Sequence, residues 1–418
     1  MMRVSVLHPD IANQTKRRSA QHSLEEAISL ANALDVEIVH STVVPLRKPS
    51  AGTLFGSGKV EELKQIFELE EVGLVVIDAP LTPIQQRNLE EEWGLKVWDR
   101  TGLILEIFGD RAQTREGVLQ VDLAALIYQR SRLVRAWTHL ERQRGGLSFV
   151  GGAGETQIES DRRQIDDAIV RLKRQLEKVA KTRSLHRAAR KKVPYPIVAL
   201  VGYTNAGKST LFNKMTGADV FAKDMLFATL DPTMREVELL SGQKIILSDT
   251  VGFISELPTQ LVAAFRATLE EVLDANLILH VRDIAHPETQ AQAGDVKDIL
   301  EELKITDDAK DGMIEVWNKT DLLSEGDLLN AMNTSNRHDK VQAVSAITGH
   351  GVNDLLDEIE VCLRETTMDE IVRLAFSEGN RRAWLYKQGV VTSEDTKDNM
   401  LEISVTWTPK LQAQFKKV

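Results

Sequence analysis

Apolar and polar positions alternate along residues 1–112 in a repeating strand-then-helix pattern. Short apolar runs such as RVSVLH, VEIVHSTVV and LVVIDA are separated by stretches with helical spacing, among them SLEEAISLANAL and KVEELKQIFELEE. Such runs predict β-strands connected by helices, and their repetition indicates a small parallel sheet. We therefore expect an N-terminal α/β domain over residues 1–112.

The pattern changes between residues 113 and 193. VLQVDLAALIYQRSRLVRAW and SDRRQIDDAIVRLKRQLEKVAKTRSLHRAARKK are helix-periodic, with a glycine-rich stretch between them, which predicts an antiparallel helical hairpin. This segment holds 18 Lys and Arg against 9 Asp and Glu, a net charge of +9 in a chain whose total is −10. A basic arm on an acidic body can dock on nucleic-acid phosphates.

The rest of the chain predicts two further α/β domains. Residues 194–366 carry apolar runs and helical stretches that indicate a mostly parallel sheet with helices on both faces. Residues 367–418 suggest a small α/β domain, in which AWLYKQGVV and MLEISVTWT predict two strands about the polar turn SEDTKDN. The predicted fold class is therefore α/β throughout, with a helical hairpin inserted.

A glycine-bounded loop follows the apolar run from Pro196 to Val201 and precedes a helix-like stretch. Strand, glycine-rich loop, Lys-Ser and helix form the arrangement that holds a nucleoside triphosphate by its phosphates. Lys208 would neutralise the β- and γ-phosphates, and the Ser209 hydroxyl would ligate Mg²⁺. The alternative is a tight turn with an accidental lysine. The loop and the helix start comprise Gly202, Tyr203, Thr204, Asn205, Ala206, Gly207, Lys208, Ser209 and Thr210.

Two further strand ends carry chemistry that suits a guanine nucleotide. The run KIILS is followed by Asp249, Thr250, Val251 and Gly252, where Asp249 can hold Mg²⁺ through water and the Gly252 amide can donate to the γ-phosphate. The run from Met313 to Trp317 is followed by Asn318, Lys319, Thr320 and Asp321. The Asp321 carboxylate can accept from the ring N–H and the exocyclic amine of guanine, a pattern that adenine does not present.

The remaining contacts with the base follow from the same four-residue motif and one later loop. Asn318 would contact the other edge of the base, and the Lys319 stem would cover its face. A backbone N–H of the loop Ser345, Ala346 and Ile347 can meet the guanine oxygen. Because all the motifs occur in order, each at a predicted strand end, they favour a guanine-nucleotide site over an accidental turn.

A second glycine-lysine stretch, Gly56-Ser57-Gly58-Lys59, invites the same interpretation. It departs from the motif, because Thr53 stands five residues before Gly58 where a glycine is needed, and Val60 replaces the Ser or Thr. The glycines more simply shape a loop that enters a helix near Lys59. A weak contact with nucleotide or RNA phosphates at this helix start stays open.

The chain resembles the HflX family, within the translation-factor class of P-loop GTPases. The resemblance rests on GYTNAGKSTLFN, LFATLDPT, DTVGFI and the stretch GGAGETQIESDRR from Gly151 to Arg163, and it covers nearly the whole chain. It implies GTP hydrolysis with Mg²⁺, in which Lys208, Thr229 and Gly252 act, and it makes Thr229 the switch-I Mg²⁺ ligand rather than Thr233. The nucleotide-contacting switch-I residues would be Phe227, Ala228, Thr229, Leu230 and Asp231.

The glycine-rich tip of the hairpin is either a flexible linker or an RNA contact. Apolar residues between arginines form a layout that stacks on unpaired bases while guanidiniums hold the backbone. In the HflX family this loop reaches the peptidyl-transferase region of the large ribosomal subunit. The candidate residues for contact with rRNA are Arg142, Arg144, Leu147, Phe149, Arg162 and Arg163.

By the same resemblance, the protein binds the ribosome in the GTP state and splits or rescues it under stress. An alternative is a GTP-gated RNA-binding or assembly scaffold in which hydrolysis only drives release. An RNA-modification GTPase would need further catalytic residues such as a nucleophilic cysteine. The single Cys362 lies in a helix-like stretch and argues against that class.

Two positions bear on the rate of hydrolysis. Phe253 stands where many regulatory GTPases place a glutamine that orients the attacking water, so we expect slow intrinsic turnover and stimulation by the ribosome. Asn205 matches an asparagine that helps hold K⁺ in related potassium-dependent GTPases, so K⁺ activation is a further hypothesis.

Composition indicates an ordinary globular protein. The chain has 418 residues, of which 42% are hydrophobic and 27% charged, and one cysteine excludes a disulfide framework. It contains no apolar run of 18 residues, and its start lacks the layout of a signal peptide. We expect a cytoplasmic monomer without a membrane span.

Overall fold

The structure, a computed structural model, describes most of the chain. The described residues are 1–12, 18–143, 153–190, 195–217, 226–227, 233–255, 272–273, 275–303, 305, 312–364, 368–397, 400–407 and 409–416. They divide into two compact units, Met1–Glu358 and Ile359–Val418, which are taken separately below.

The apolar runs of the N-terminal region form a parallel sheet. Its strands are β1 (Met2–Ile11), β2 (Val36–Leu46), β3 (Leu74–Ile77) and β4 (Lys96–Asp99), and the described strands pair in the order β2-β1-β3-β4. The connecting helices are α1 (Ala20–Ala31), α2 (Ser57–Leu69), α3 (Pro83–Trp93) and α4 (Arg100–Arg111). Strand β3 is buried at every position, as expected for a parallel strand covered on both faces.

Two long helices follow this sheet, α5 (Arg115–Gln143) and α6 (Ala153–Arg190). Arg130 of α5 pairs with Asp166 of α6 at 3.0 Å, and residues 122–129 of α5 face residues 168–175 of α6 across a groove. Because the residue numbers run in opposite directions along the two helices, the predicted antiparallel hairpin is confirmed. The glycine-rich tip lies outside the described residues.

Asp99, at the end of β4, joins the hairpin to the N-terminal sheet. Its carboxylate caps α4 by accepting from the Gly102 N–H at 2.8 Å, and it also accepts from the Tyr128 hydroxyl at 2.6 Å. Arg132 of α5 donates to the same carboxylate. One buried acid therefore fixes a helix start and the base of α5 together.

The described residues between 195 and 364 contain a second, mostly parallel sheet. Its strands are β5 (Ile197–Gly202), β6 (Thr233–Glu238), β7 (Lys244–Asp249), β8 (Leu277–Asp283), β9 (Ile314–Asn318) and β10 (Val341–Ala343). The described strands pair in the order β10-β9-β8-β5-β7-β6, and β6 is antiparallel to β7. The described α-helices of this region are α7 (Lys208–Thr216), α8 (Thr289–Glu302), α9 (Glu325–Ser335) and α10 (Val352–Leu363). The mostly parallel sheet predicted here is confirmed, and it brings the ends of β5, β7 and β9 to one edge.

The C-terminal unit corrects one prediction. It contains β11 (Met368–Ala375), α11 (Gly379–Lys387), β12 (Val391–Lys397), β13 (Met400–Trp407) and α12 (Pro409–Phe415), with an antiparallel sheet in the order β11-β13-β12. The run AWLYK was predicted as a strand and is part of a helix. The polar stretch SEDTKDN was predicted as a turn, and most of it lies in a strand.

The polar character of β12 has a physical reason. Among the described strands it pairs with β13 alone, so it is an edge strand whose side chains largely face water. Glu394 of β12 accepts two hydrogen bonds from Arg382 of α11, both at 2.9 Å, and one from the Tyr386 hydroxyl at 2.8 Å. Charged side chains therefore hold β12 against α11. The segment lacks the alternating apolar residues from which a strand is predicted, which is why it was predicted as a turn.

Candidate functional site

The loop after β5 approaches two other strands too closely for any side chain at its glycines. A Cβ at Gly202 would lie 2.2 Å from the Val281 carbonyl oxygen of β8, and one at Gly207 would lie 2.2 Å from Asn318 Nδ2. Gly207 and Asn205 have φ of 87° and 60°, in the left-handed region that glycine and asparagine tolerate best. The predicted need for glycine is thus explained by close packing as well as by backbone direction.

Lys208 begins α7 and is buried. Its Nζ donates to the carbonyl oxygens of Gly202 at 3.1 Å and Tyr203 at 2.8 Å, so the ammonium is fixed at the mouth of the loop. Burial lowers the pKa of Lys208 to about 8, and the nearby carboxylate of Asp249 opposes that shift. A desolvated cation at the start of a helix forms a strong site for an anion.

The end of β7 lies beside the start of α7. The Ser209 hydroxyl donates to Asp249 Oδ2 at 2.7 Å, and the Thr250 hydroxyl donates to the Leu200 carbonyl at 2.6 Å. A hydroxyl and a carboxylate oxygen therefore meet at the edge of the sheet. Oxygen donors of this kind fit Mg²⁺, which prefers few protein ligands and keeps several waters.

Gly252 and Phe253 pack directly against the loop after β5. A Cβ on Gly252 would lie 2.7 Å from Thr204 Cγ2 and 3.1 Å from Lys208 Nζ. The Phe253 N–H donates to the Gly202 carbonyl at 3.1 Å, and the Phe253 carbonyl accepts from the Thr204 N–H at 2.7 Å. The Phe253 ring is buried in the core, so this side chain packs and does not face a reacting water.

Asn318, at the end of β9, joins the two predicted halves of the site. Its Nδ2 donates to the Ala206 carbonyl at 2.8 Å, and its Oδ1 accepts from the Ala346 N–H at 3.0 Å. The buried amide of Asn318 therefore ties the loop after β5 to the loop after β10. Sequence spacing alone could not reveal this bracing role.

The other residues of the predicted base-reading motif lie around Asn318. Asp321 is exposed and its Oδ1 accepts from the Ser345 hydroxyl at 2.5 Å, which orients the carboxylate. Lys319 has φ of 64°, and its Nζ lies 2.9 Å from Asp283 Oδ2. Thr320 is buried, whereas Ile347 is 72% exposed. The structure thus brings residues 318–321 and 345–347 together beside the glycine loop.

Most of the predicted switch-I residues lie outside the described part of the chain. The ones that lie outside it are Ala228, Thr229, Leu230 and Asp231. Phe227 is described, and its buried ring packs edge-on against Phe108 of α4 with ring centroids 4.6 Å apart. Thr233, the competing threonine, begins β6. The choice between Thr229 and Thr233 stays a prediction.

The predicted RNA contacts are described only in part. Arg144, Leu147 and Phe149 lie outside the described residues, and Arg142 lies near the end of α5. Arg162 and Arg163 are exposed on α6, where Arg162 approaches Asp166 at 3.9 Å and Arg163 pairs with Glu159 at 2.7 Å. Ion pairs this exposed are weak, so both arginines can exchange their partners for phosphates.

One set of residues around the site was missed by sequence reasoning. The Tyr203 hydroxyl points away from the glycine loop and contacts Glu26 and Arg18 of the N-terminal region, and Arg100 contacts Ser255. Ser255 and Glu26, which share a hydrogen bond, are 229 positions apart in the chain, and no local pattern links these residues. Only the folded structure could reveal their proximity.

Within the described part of the chain, no helix combines the length and the apolar character that crossing a membrane requires.

Four family models match the chain. They are described as the GTP-binding GTPase N-terminal region (residues 21–109), the GTP-binding GTPase middle region (residues 111–190), the 50S ribosome-binding GTPase (residues 197–319) and the HflX C-terminal domain (residues 330–417). Together they cover most of the sequence.

Two relatives, compared by sequence, agree with these matches. The GTPase HflX of Magnetococcus marinus is 46% identical over 417 residues, which cover 99% of this chain and 95% of that protein. The GTPase HflX of Escherichia coli is 42% identical over 371 residues, which cover 89% of this chain and 86% of that protein. The crystal structure of a GTP-binding protein from Sulfolobus solfataricus in complex with GDP matches at 23% identity with a TM-score of 0.46, covering 86% of this chain and 98% of that one. The chain described here binds and hydrolyses GTP, and it belongs to the HflX family of GTPases.

Proposed function

We propose that this GTPase binds the ribosome, chiefly the large subunit, in its GTP state, and that it splits or rescues ribosomes in the cytoplasm under stress. The observation that carries the proposal is the match of residues 197–319 to the family described as a 50S ribosome-binding GTPase. The basic hairpin at residues 113–193, with a net charge of +9, supports it as an arm for rRNA.

The phosphate end of the site would work through charge and backbone amides. Lys208 neutralises the β- and γ-phosphates, and the Gly252 N–H donates to the γ-phosphate. Ser209 and Asp249, whose oxygens lie 2.7 Å apart, would hold Mg²⁺ together with Thr229. Bound Mg²⁺ would supply the charge neutralisation that the triphosphate needs.

The base end of the site would select guanine. The Asp321 carboxylate, oriented by the Ser345 hydroxyl, accepts from the ring N–H and the exocyclic amine of the base. The Lys319 stem covers the face of the base, and a main-chain N–H of residues 345–347 meets its oxygen. Asn318 braces both loops through its contacts with Ala206 and Ala346.

Hydrolysis would be slow until the ribosome is bound. The buried Phe253 ring cannot orient a water, so the partner must supply that function or stabilise the transition-state charge. Asn205 is exposed in the loop with φ of 60° and would help hold K⁺ beside the phosphates. Turnover that is equal in Na⁺ and K⁺ would remove the potassium hypothesis alone.

Sucrose-gradient sedimentation of intact ribosomes tests the proposal. We expect the protein to travel with large subunits, and the subunits to separate, when GTP or a non-hydrolysable analogue is present, but not with GDP. Binding that leaves ribosomes intact would favour the scaffold alternative, in which hydrolysis only drives release. Failure to bind ribosomes with any nucleotide would contradict the proposal.

The hairpin contribution can be measured separately through salt dependence. Reversing Arg162 and Arg163 to Glu removes two counterion-releasing contacts, so the slope of log affinity against log salt should flatten by roughly 1.5. The matched control reverses Lys173 and Arg174, which are also exposed on α6 but lie farther from the tip. Equal effects of the two pairs would mean that attraction is diffuse rather than concentrated near the tip. The affinity of the isolated protein for GTP should not change in either variant.

A further inference from the structure

Tyr203 occupies the second position of the phosphate-binding loop, but its side chain points into the N-terminal region. The phenol is buried, and its oxygen has three polar partners among the described residues. It accepts from Arg18 Nη1 at 2.8 Å and from the Ser255 N–H at 2.7 Å, and it donates to the Glu26 carboxylate. Burial, followed by the charge of Glu26, raises the pKa of Tyr203, so the hydroxyl keeps the proton that it donates.

Ser255 is bound on all of its polar groups by Tyr203 and the N-terminal region. Its N–H donates to Tyr203, its carbonyl accepts from Arg100 Nη2 at 3.0 Å, and its hydroxyl donates to Glu26 Oε1 at 2.9 Å. Arg100 also donates to the Ser255 hydroxyl oxygen at 2.9 Å. This residue lies three positions after Gly252, so the first residues of switch II are anchored at a defined point.

The charged partners of this anchor are themselves fixed. Arg100 is buried, pairs with Asp78 at 2.5 Å and also contacts Glu26. Arg18 pairs with Glu26 and with Asp295 of α8, both at 2.5 Å. Burial opposes ionisation of Glu26, but the two arginines outweigh it and lower the pKa of that carboxyl. Buried ion pairs of this kind hold a single geometry, because breaking one leaves an unpaired charge inside the protein.

The segment between Gly252 and Ser255 links the position of Gly252 to the hydrogen bonds that hold Ser255. Phe253 and Ile254 are buried, and the main chain of Phe253 pairs with Gly202 and Thr204 on the phosphate-binding loop. Because both ends of this short segment are held, Gly252 cannot move relative to Lys208 without releasing Ser255 or unpairing Phe253. The position of Gly252 therefore depends on groups outside the GTPase domain.

We infer that the Tyr203 hydroxyl is a positioning group for GTP hydrolysis, through which the N-terminal region holds switch II against the phosphate-binding loop. The hydroxyl acts through Ser255 and Gly252 and does not touch the nucleotide. The inference rests on the proposed contact between the Gly252 N–H and the γ-phosphate, but it does not depend on ribosome binding. The N-terminal region is thus a working part of the GTPase site.

Replacement of Tyr203 by Phe in the full-length chain removes the hydroxyl and keeps the ring. We expect kcat for GTP to fall about fivefold to tenfold, the loss expected for one oriented hydrogen bond, while KM changes less than twofold. The matched control is Tyr128→Phe, which removes the hydroxyl of a half-buried tyrosine that also donates to a carboxylate, that of Asp99, at 2.6 Å. The control should lose similar thermal stability and keep its kcat.

A double-mutant cycle identifies the route of the effect. Arg18 donates to the Tyr203 hydroxyl, whereas Glu26 also binds Ser255 directly, so Arg18 is the partner for this cycle. If Arg18 acts on Ser255 through the Tyr203 hydroxyl, adding Arg18→Gln to Tyr203→Phe should lower kcat by less than twofold further. Additive losses would overturn the inference, as would a normal or raised kcat in Tyr203→Phe, or an equal loss in Tyr128→Phe.

Amide hydrogen exchange at Gly252 separates this inference from the proposed phosphate contact, because a Cβ at this position would clash with Thr204 and a substitution would not remove the N–H. Exchange at Gly252 that a non-hydrolysable GTP analogue leaves unchanged would refute the phosphate contact, whereas protection there beside a normal kcat in Tyr203→Phe would refute the positioning role alone.

Discussion

The chain contains two glycine-lysine helix starts, and the structure gives them different surroundings. At the start of α7, Gly207 has φ of 87°, and a Cβ there would lie 2.2 Å from Asn318. At the start of α2, Gly56 has φ of −68°, and a Cβ on Gly56 or Gly58 would meet nothing within 4 Å. Glycine is therefore required at the first helix start and merely tolerated at the second.

The two lysines differ in the same way. Lys208 is buried and its ammonium is held by two carbonyl oxygens of its own loop. Lys59 is partly exposed and pairs with Glu62 one turn along its helix, at 2.7 Å. A desolvated lysine aimed at a loop of backbone amides can bind phosphate, whereas a hydrated lysine with an acidic neighbour forms an ordinary surface pair. The two matching residues, Gly58 and Lys59, thus do not make a phosphate site, because no strand among the described residues encloses them.

The largest expected effect is a change in base specificity at the site that includes the start of α7. Asp321 follows Asn318, whose side chain donates to the Ala206 carbonyl of the phosphate-binding loop. Asp321→Asn replaces the acceptor that reads guanine, so xanthosine triphosphate should become the preferred ligand. A mismatch at a polar recognition group costs on the order of 10⁴-fold in specificity. Competition of fluorescent GTP against xanthosine triphosphate measures it. A variant that still prefers GTP would break the comparison, since base recognition would then lie elsewhere.

The paired lysine variants test the comparison itself. Lys208→Ala should weaken GTP binding by about 100-fold, as expected for the loss of a charge-assisted contact of about 3 kcal/mol. Lys59→Ala should bind GTP as the wild type does. Titration of both variants with a fluorescent GTP analogue provides the check. Equal losses would mean that the α2 helix start also holds the triphosphate.

Substitution of a glycine at each helix start should change the free energy of unfolding in opposite directions. Gly207→Ala forces an L-residue into a left-handed conformation and against Asn318, so the free energy of unfolding should fall by about 1–3 kcal/mol. Gly58→Ala lies in an open first turn of α2, and it should raise that free energy by about 0.5 kcal/mol. Urea unfolding of both variants measures the difference. Destabilisation by Gly58→Ala would show that the second loop is constrained after all.

The smallest effect concerns pH. Burial lowers the pKa of Lys208 from 10.5 to about 8, so the free protein loses this charge as the pH rises through 8. Binding of triphosphate must then restore the proton, and the affinity for GTP should fall about fourfold between pH 7 and 8.5. Calorimetry in two buffers of different ionisation enthalpy should detect the proton uptake. Lys208→Arg, which stays charged, should remove the pH dependence, and a dependence that persists there would assign it to another group.

Much of the site could be predicted because its chemistry follows strand ends. The loop at Gly202, the acid at Asp249 and the motif beginning at Asn318 each come directly after an apolar run, and parallel strands bring such ends to one edge. Local sequence therefore determined both the type and the location of these groups. The sequence also showed that the stretch around residues 56–59 departs from the motif, at Thr53 and Val60. The open space around Gly56 and Gly58 explains why glycine is not required there.

The rest depended on long-range packing. Glu26, Arg100 and Tyr203 come from three distant parts of the chain, and their pairing is defined only when the N-terminal region packs against the GTPase region. The helix α11 was misassigned because AWLYK is apolar and aromatic enough to suit a strand. In the fold Leu385 of that helix is buried and Trp384 packs beside it against the C-terminal core, so the apolar residues of this run cover the sheet from a helix rather than from a strand.

Hydrogen-deuterium exchange with and without a non-hydrolysable GTP analogue tests the central claim most directly. We predict slower exchange in peptides that contain residues 203–210, 318–321 and 345–347. In these peptides, backbone amides and the two loops joined by Asn318 would surround the nucleotide. Peptides that contain residues 55–60 should exchange at the same rate in both states. Protection at residues 55–60 without protection at 203–210 would contradict the account, because the nucleotide would then occupy the other glycine-lysine helix start.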